Sequence, residues 1–183
     1  MAPPIPSALR DFGKPRINRT ASPVLALAVP WLVVMLGSLS PTWPVITSSP
    51  LLPPFGFLML VGWQQLRPGL FPVWAGLPLG LFDDLFSGQP FGSAVVLWSI
   101  AMLALDLIEH RWPWQGFAFN WAVASGFIGG YLLLALQLAN LSGGNLAPSA
   151  LAPQLILSVL AYPVCAKMVG LADRFRLIPV RQV

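Results

Sequence analysis

Charge is scarce in this chain. Only 9% of its 183 residues are Asp, Glu, Lys or Arg, against about 25% in a typical soluble domain. So little charge cannot cover a water-facing surface, and lipid is the solvent that suits the composition. There is one cysteine, Cys165. A single thiol makes no intrachain disulfide, so the fold needs no oxidising compartment. There is also one histidine, His110. That excludes a multi-histidine metal site, and a Ser-His-Asp triad would have to be built around this ring with no nucleophile motif nearby. No phosphate-binding glycine loop, CxxC pair or HExxH is present, and nothing in the residues argues for an enzyme. The N-terminal stretch is polar, Pro-rich and basic as far as Val24, with no convincing cleavage site after a short apolar core. A retained first span is expected in place of a cleaved signal.

Apolar residues are abundant, at 56% of the chain, and the mean hydropathy is +0.74. A spanning helix needs about 20 apolar residues, with a range of about 17–25. Six stretches approach that length: 24–39, 51–66, 69–86, 92–108, 117–138 and 151–171. Short Pro-, Gly- and Ser-rich breaks separate them, such as Arg67-Pro68-Gly69 and Ser87-Gly88-Gln89-Pro90. Pro53 and Pro54 open the second stretch, where a first turn tolerates them. Pro30, Pro78 and Pro163 lie inside the first, third and sixth and are expected to bend their helices.

The net charge is +4. The basic residues lie between apolar stretches and not on one basic face, so no nucleic-acid partner is expected. Arg10, Lys14, Arg16 and Arg19 precede the first stretch. Arg67 and Arg111 fall in alternate breaks, and Arg174, Arg176 and Arg181 follow the sixth. Loops 41–50, 87–91 and 139–150 hold no Lys or Arg. With six spans and the N-terminus inside, every one of these cations is cytoplasmic, and Lys167 can snorkel to the same side. The expected organisation is a disordered basic cytoplasmic tail over 1–22, a six-helix transmembrane domain over 23–173 and a basic cytoplasmic tail over 174–183. The expected fold class is an all-α bundle of six transmembrane helices with both termini in the cytoplasm. Trp43, Trp63, Trp112 and Trp114 near the span ends read as interface anchors.

Gly76, Gly80 and Asp84 recur every four residues and share one helix face, where small residues admit a close neighbour. Asp83 and Asp84 sit near the outer end of the third stretch. Three readings of this pair stay open: hydrogen bonding to the Ser87-Gly88 turn or a neighbouring helix, a partner or ligand site, and help in holding Mg²⁺. No second acidic motif faces them for the last of these, because Asp11, Asp106, Glu109 and Asp173 belong to the opposite side. Asp106 and His110 form an i,i+4 pair at a solvated helix end. Gly126 and Gly130 give the fifth stretch a second GxxxG, expected to pack closely within the bundle or against another protein's helix.

The ordered features across about residues 23–176 resemble the rod-shape-determining protein family MreD. They are Pro41-Thr42-Trp43-Pro44 after the first span, Trp63 closing the second, the stretch Gly80-Leu-Phe-Asp83-Asp84-Leu-Phe-Ser87-Gly88-Gln-Pro90-Phe-Gly92, Pro163 and the basic C-terminus. The stretch resembles the family's G-x-x-x-D-x-x-S-G-x-x-x-G hairpin, with Asp84 at its acidic position. Asp83 and the long Pro-rich N-terminal tail depart from that pattern. The resemblance implies a non-enzymatic scaffold of the cell-elongation complex in the bacterial inner membrane. Its implied partners are MreC, then MreB, RodA and a class B penicillin-binding protein, with membrane lipid around it and no cofactor. It also implies a six-helix bundle similar to the substrate-binding subunits of energy-coupling-factor vitamin transporters. Asp83, Asp84, Ser87, Gly88, Pro90 and Gly92 are then the expected partner or pocket residues, and Gly76, Gly80, Gly126 and Gly130 the helix-packing ones. The alternative is a vitamin-binding uptake subunit with an outward polar cavity. For that the sequence offers few convergent groups, mainly Asp83, Asp84, Gln89, Asn120 and Gln137.

Overall fold

Proline and glycine set the helix ends, and long apolar runs fill what lies between. The computed structural model describes residues 19–21, 23–42, 51–112, 116–177 and 179–181. Among them six α-helices form: α1 Pro23–Ser38, α2 Phe55–Leu66, α3 Gly76–Ser87, α4 Ser93–Arg111, α5 Phe117–Leu141 and α6 Ala152–Arg176. Short strands β1 Arg19–Ala21 and β2 Pro179–Arg181 pair antiparallel, with Arg19 opposite Arg181. Three residues of the expected N-terminal tail are therefore ordered against the C-terminal one. Residues 1–18, Trp43 and Trp114 lie outside the described residues.

Four segments are long and apolar enough to cross a membrane: Val24–Thr42, Ser93–Arg111, Phe117–Leu141 and Pro148–Arg176. The expected second and third spans are shorter as helices. Each of α2 and α3 has 12 residues, about 18 Å of helix, against a hydrocarbon core of about 30 Å. The physical reason is proline. Pro53 and Pro54 delay the start of α2, and Pro72 and a 3-10 turn at Val73–Ala75 delay α3. Helix α3 opens at Gly76, so Pro78 falls in its first turn, where a missing N–H has no intrahelical partner. Pro30 and Pro163 do lie inside α1 and α6.

Helix α2 is apolar on every side and sits at the centre. All eight residues from Gly56 to Trp63 are buried, as expected for a helix with no polar face. Its non-helical lead-in is covered by protein: the Leu52 carbonyl accepts from Gln154 Nε2 at 2.7 Å. Short helices and broken backbone are tolerated at membrane depth only where protein surrounds them in this way. Glycines let the neighbours approach. A Cβ on Gly37 would stand 2.9 Å from the Gly56 nitrogen, so α1 and α2 touch backbone to backbone. Phe57 stacks on Tyr131 of α5 at 4.4 Å between ring centres.

The face of α3 that carries Gly76 and Gly80 is used inside the chain. A Cβ on Gly80 would lie 2.7 Å from the Ala94 carbonyl oxygen and from Val95 Cα, and one on Gly76 2.8 Å from Ser99 Cα. Helices α3 and α4 thus form a tight hairpin. Gly126 and Gly130 differ, since a Cβ on either meets nothing within 4 Å. Among the described residues, no neighbour packs closely against either glycine.

At the opposite end of the bundle Asp173 joins α1, α2 and α6. Its carboxylate accepts from Arg176 Nε at 2.7 Å and from Arg67 Nη2 at 2.9 Å. Arg176 also donates to the Ala26 carbonyl at 3.1 Å and lies 5.6 Å from the Trp63 ring centre. Arg67 lies between helices, and its pKa is raised above the ordinary value by its hydrogen bond to Asp173. Arg174 and Arg176 belong to α6 and not to a tail, and Arg176 is buried. Trp63, expected at an interface, is instead fully buried, while Trp112 is exposed.

Close backbone packing makes the two glycine pairs separable by experiment. Gly80→Ala forces a methyl into the α4 backbone and is expected to destabilise by about 1–3 kcal/mol. Gly126→Ala is expected to leave stability unchanged or slightly raised. Thermal unfolding of the detergent-solubilised protein checks both.

Candidate functional site

Helix α4 begins immediately after a turn, so its first N–H groups have no intrahelical acceptor. Asp84, one helix back, supplies one. Its Oδ2 accepts from the Gly92 N–H at 2.9 Å and the Val95 N–H at 3.4 Å. Its Oδ1 accepts from the Ala94 N–H at 2.9 Å and faces the Ser93 hydroxyl at 3.3 Å. A carboxylate at a helix N-terminus also meets the positive end of the helix dipole. Hydrogen bonds to a charged acceptor contribute about 1.5–3 kcal/mol each. Asp84 is buried and its acceptor capacity is filled by α4.

The rest of the acidic hairpin follows from that cap. Gly88 ends α3 at φ 67° and Gly92 precedes α4 at φ 92°, backbone conformations that a side chain disfavours. The Ser93 N–H donates to the Pro90 carbonyl at 3.0 Å, and the Ser87 hydroxyl faces the Gln89 N–H at 3.5 Å. The D-x-x-S-G-x-x-x-G spacing is the spacing of a turn whose far helix is capped by the near one. Asp84, Gly88, Pro90 and Gly92 therefore serve first as structure. This is the hydrogen-bonding reading of Asp84, directed at a neighbouring helix.

Asp83 faces elsewhere. It is buried and points away from α4 toward α1, with the Ser38 hydroxyl beside it but without a well-formed hydrogen bond between them. It lines a cavity of about 220 Å³ together with Ser40, Ser87, Gln89, Tyr131 and Gln154. A second cavity of about 280 Å³ adjoins it and shares Ser87, Gln89, Tyr131 and Gln154. Gly88 and Pro90 reach only this second cavity. The adjacent aspartates thus divide the work: one holds the hairpin and the other looks into a polar recess.

Sequence reasoning found Asp83, Ser87 and Gln89 but missed Ser40, Tyr131 and Gln154, which arrive from the 3-10 turn Ser40–Thr42 after α1, from α5 and from α6. No local signal marks them, because three separate segments bring them together. Asn120 and Gln137 do not reach the recess. The Asn120 carbonyl accepts from Gln65 Nε2 at 3.0 Å, and Gln137 is exposed. His110 and Asp106 lie at the other end, 3.6 Å apart and exposed, a solvated helix terminus.

The open side of Gly126 and Gly130 is a separate feature. With Leu97, Ile100, Ala101, Phe127 and others they line an apolar groove of about 430 Å³ between α4 and α5. No protein family, curated protein or solved structure matches this chain.

The division between the aspartates is testable in stability. Asp84→Ala is expected to lower the unfolding free energy by about 2 kcal/mol or more through the uncapped α4. Asp83→Asn is expected to be neutral or stabilising, since it removes a buried charge that lacks a well-formed partner. Thermal or denaturant unfolding of the two variants in the same detergent makes the comparison.

Proposed function

We propose that this chain is a six-pass, non-enzymatic scaffold of the bacterial inner membrane, of the MreD type, with both termini in the cytoplasm. The observation that carries this reading is the unfilled Gly126–Gly130 groove on α5. Every other i,i+4 glycine pair that could seat a helix is occupied: Gly76 and Gly80 hold α4. A groove floored by two glycines four residues apart, apolar throughout, has the shape that a partner's transmembrane helix fills by close backbone approach. The partner that the sequence resemblance implies is MreC, whose single span would bring MreB on one side and the RodA synthase with its penicillin-binding protein on the other into one assembly. The six-pass count is supported by the distribution of Lys and Arg, and by the short α2 and α3 having non-helical lead-ins that lengthen their paths.

Co-purification with MreC tests the assignment. Gly126→Leu with Gly130→Leu fills the groove without touching the fold, and is expected to reduce recovered MreC at least about tenfold, the loss when roughly 1.4 kcal/mol of association is removed. Undiminished recovery of MreC with the doubly filled groove contradicts the scaffold reading.

A second reading has its own support in the recess around Asp83. A buried carboxylate with two glutamines, a tyrosine and serines is the polar set of a small-molecule site, and the two adjoining cavities, about 220 and 280 Å³, reach ligand size only when taken together. On this reading the chain is the vitamin-binding subunit of an uptake transporter. A vitamin that raises the unfolding temperature of the wild type but not of Asp83→Ala would favour it over the scaffold.

A further inference from the structure

A third recess lies at the Asp173 end, away from both sites above; its reading rests on the proposed cytoplasmic orientation of this end and on neither functional assignment. It is a cleft of about 610 Å³ between the end of α2 and the last turns of α6. Its cations are Arg67, Lys167 and Arg174, and Leu66, Leu171 and Leu177 form its apolar wall. Lys167, Leu171 and Arg174 recur at helical spacing and share one face of α6. Lys167 and Arg174 are both exposed, and neither has an ion-pair partner among the described residues. Asp173, the acid in the wall, is already shared between Arg67 and Arg176. That leaves the cleft with a surplus of positive charge. Arg67 still turns about half of its side chain to the outside, at 49% exposure.

We propose that this cleft binds the phosphate headgroup of an anionic phospholipid. The charge calls for an anion, and its surroundings select a lipid over a free ion. Leu66, Leu171 and Leu177 are 43%, 54% and 45% exposed beside the cations, which gives acyl chains a wall to lie along. Gly170 opens the floor, because a Cβ there meets nothing within 4 Å. Lys167 lies about 10 Å along the helix axis from Arg174, deeper toward the apolar belt. Its stem runs along lipid while the ammonium rises to the headgroup level that Arg174 and Arg67 occupy. Basic recesses between helix ends at the cytoplasmic surface are where anionic headgroups bind. The guanidinium of Arg67 remains anchored by Asp173, so its fork is held in place before a lipid arrives.

The test uses the full-length protein in neutral detergent. Binding of phosphatidylglycerol and of phosphatidylcholine with the same acyl chains is measured by native mass spectrometry, with thermal unfolding as a second readout. The wild type is expected to prefer phosphatidylglycerol about tenfold or more, in line with the attraction of anionic lipid for each added cation. Lys167→Gln with Arg174→Gln is expected to reduce that preference to about twofold or less, at unchanged unfolding temperature without lipid. Arg111→Gln removes a cation from the same end outside the cleft and is expected to keep the preference. Equal binding of the two lipids by the wild type overturns the proposal. So does equal loss in the Arg111→Gln variant, which would mean unspecific surface charge. Stabilisation by millimolar inorganic phosphate equal to that by phosphatidylglycerol also overturns it, because the site would then recognise a free anion.

Discussion

Backbone groups that cannot reach water must be satisfied by protein, and this fold is arranged around the places where its helices stop short. The Asp84 carboxylate is the main instance. It accepts from the first N–H groups of α4 at 2.9 Å and beyond, and so allows α3 to end and α4 to begin in a turn of five residues, 88–92. The tight approach of Gly80 to the Ala94–Val95 backbone brings the carboxylate within reach. The glycine and the aspartate, four residues apart on one face, are two parts of one joint. At the other end Asp173 has the same role for charge, holding two arginines from different segments and closing α1 and α6 over Trp63.

The central position of α2 follows from the same constraint. Its helix is too short to meet lipid along a full span, and its prolines leave carbonyls without intrahelical partners. Both faults vanish when other helices enclose it, and Gln154 reaches across from α6 to the Leu52 carbonyl. Neighbouring helices enclose α2, while α3 lies at the edge of the bundle against α4 and α1 with Leu77, Leu81 and Leu85 exposed, and the bundle has recesses at both ends. One recess is polar and carries a buried acid, and the other is basic with an apolar wall. The open apolar groove on α5 lies on the flank. These are three chemically different surfaces, and a scaffold, a small molecule and a lipid make different demands on them.

Much of this was legible in the residues. The six helical segments, the hairpin at Ser87–Gly92 and the inward face of Gly76, Gly80 and Asp84 follow from turn signals and four-residue spacing. Helix length was not legible at 51–54 and 67–75, because hydropathy counts apolar residues whether or not prolines let them coil. The Asp173 clasp was missed because Arg67 and Asp173 are 106 residues apart and basic residues near a span end read as solvated. Trp63 misled for the same reason: its place near a break suggested an interface, whereas Arg176 covers it. Two adjacent aspartates could not be told apart by spacing, and only the direction of each side chain separates a helix cap from a recess wall.

The division of labour between those aspartates is most directly read by backbone hydrogen exchange over residues 88–96 in the intact protein. Asp84→Ala is expected to remove protection from the Gly92, Ala94 and Val95 amides while residues 56–63 of α2 stay protected. Asp83→Ala is expected to leave 88–96 as in the wild type. Protection of Gly92, Ala94 and Val95 that survives Asp84→Ala, or that is lost in Asp83→Ala, would contradict the assignment of Asp84 as the cap on which the hairpin depends.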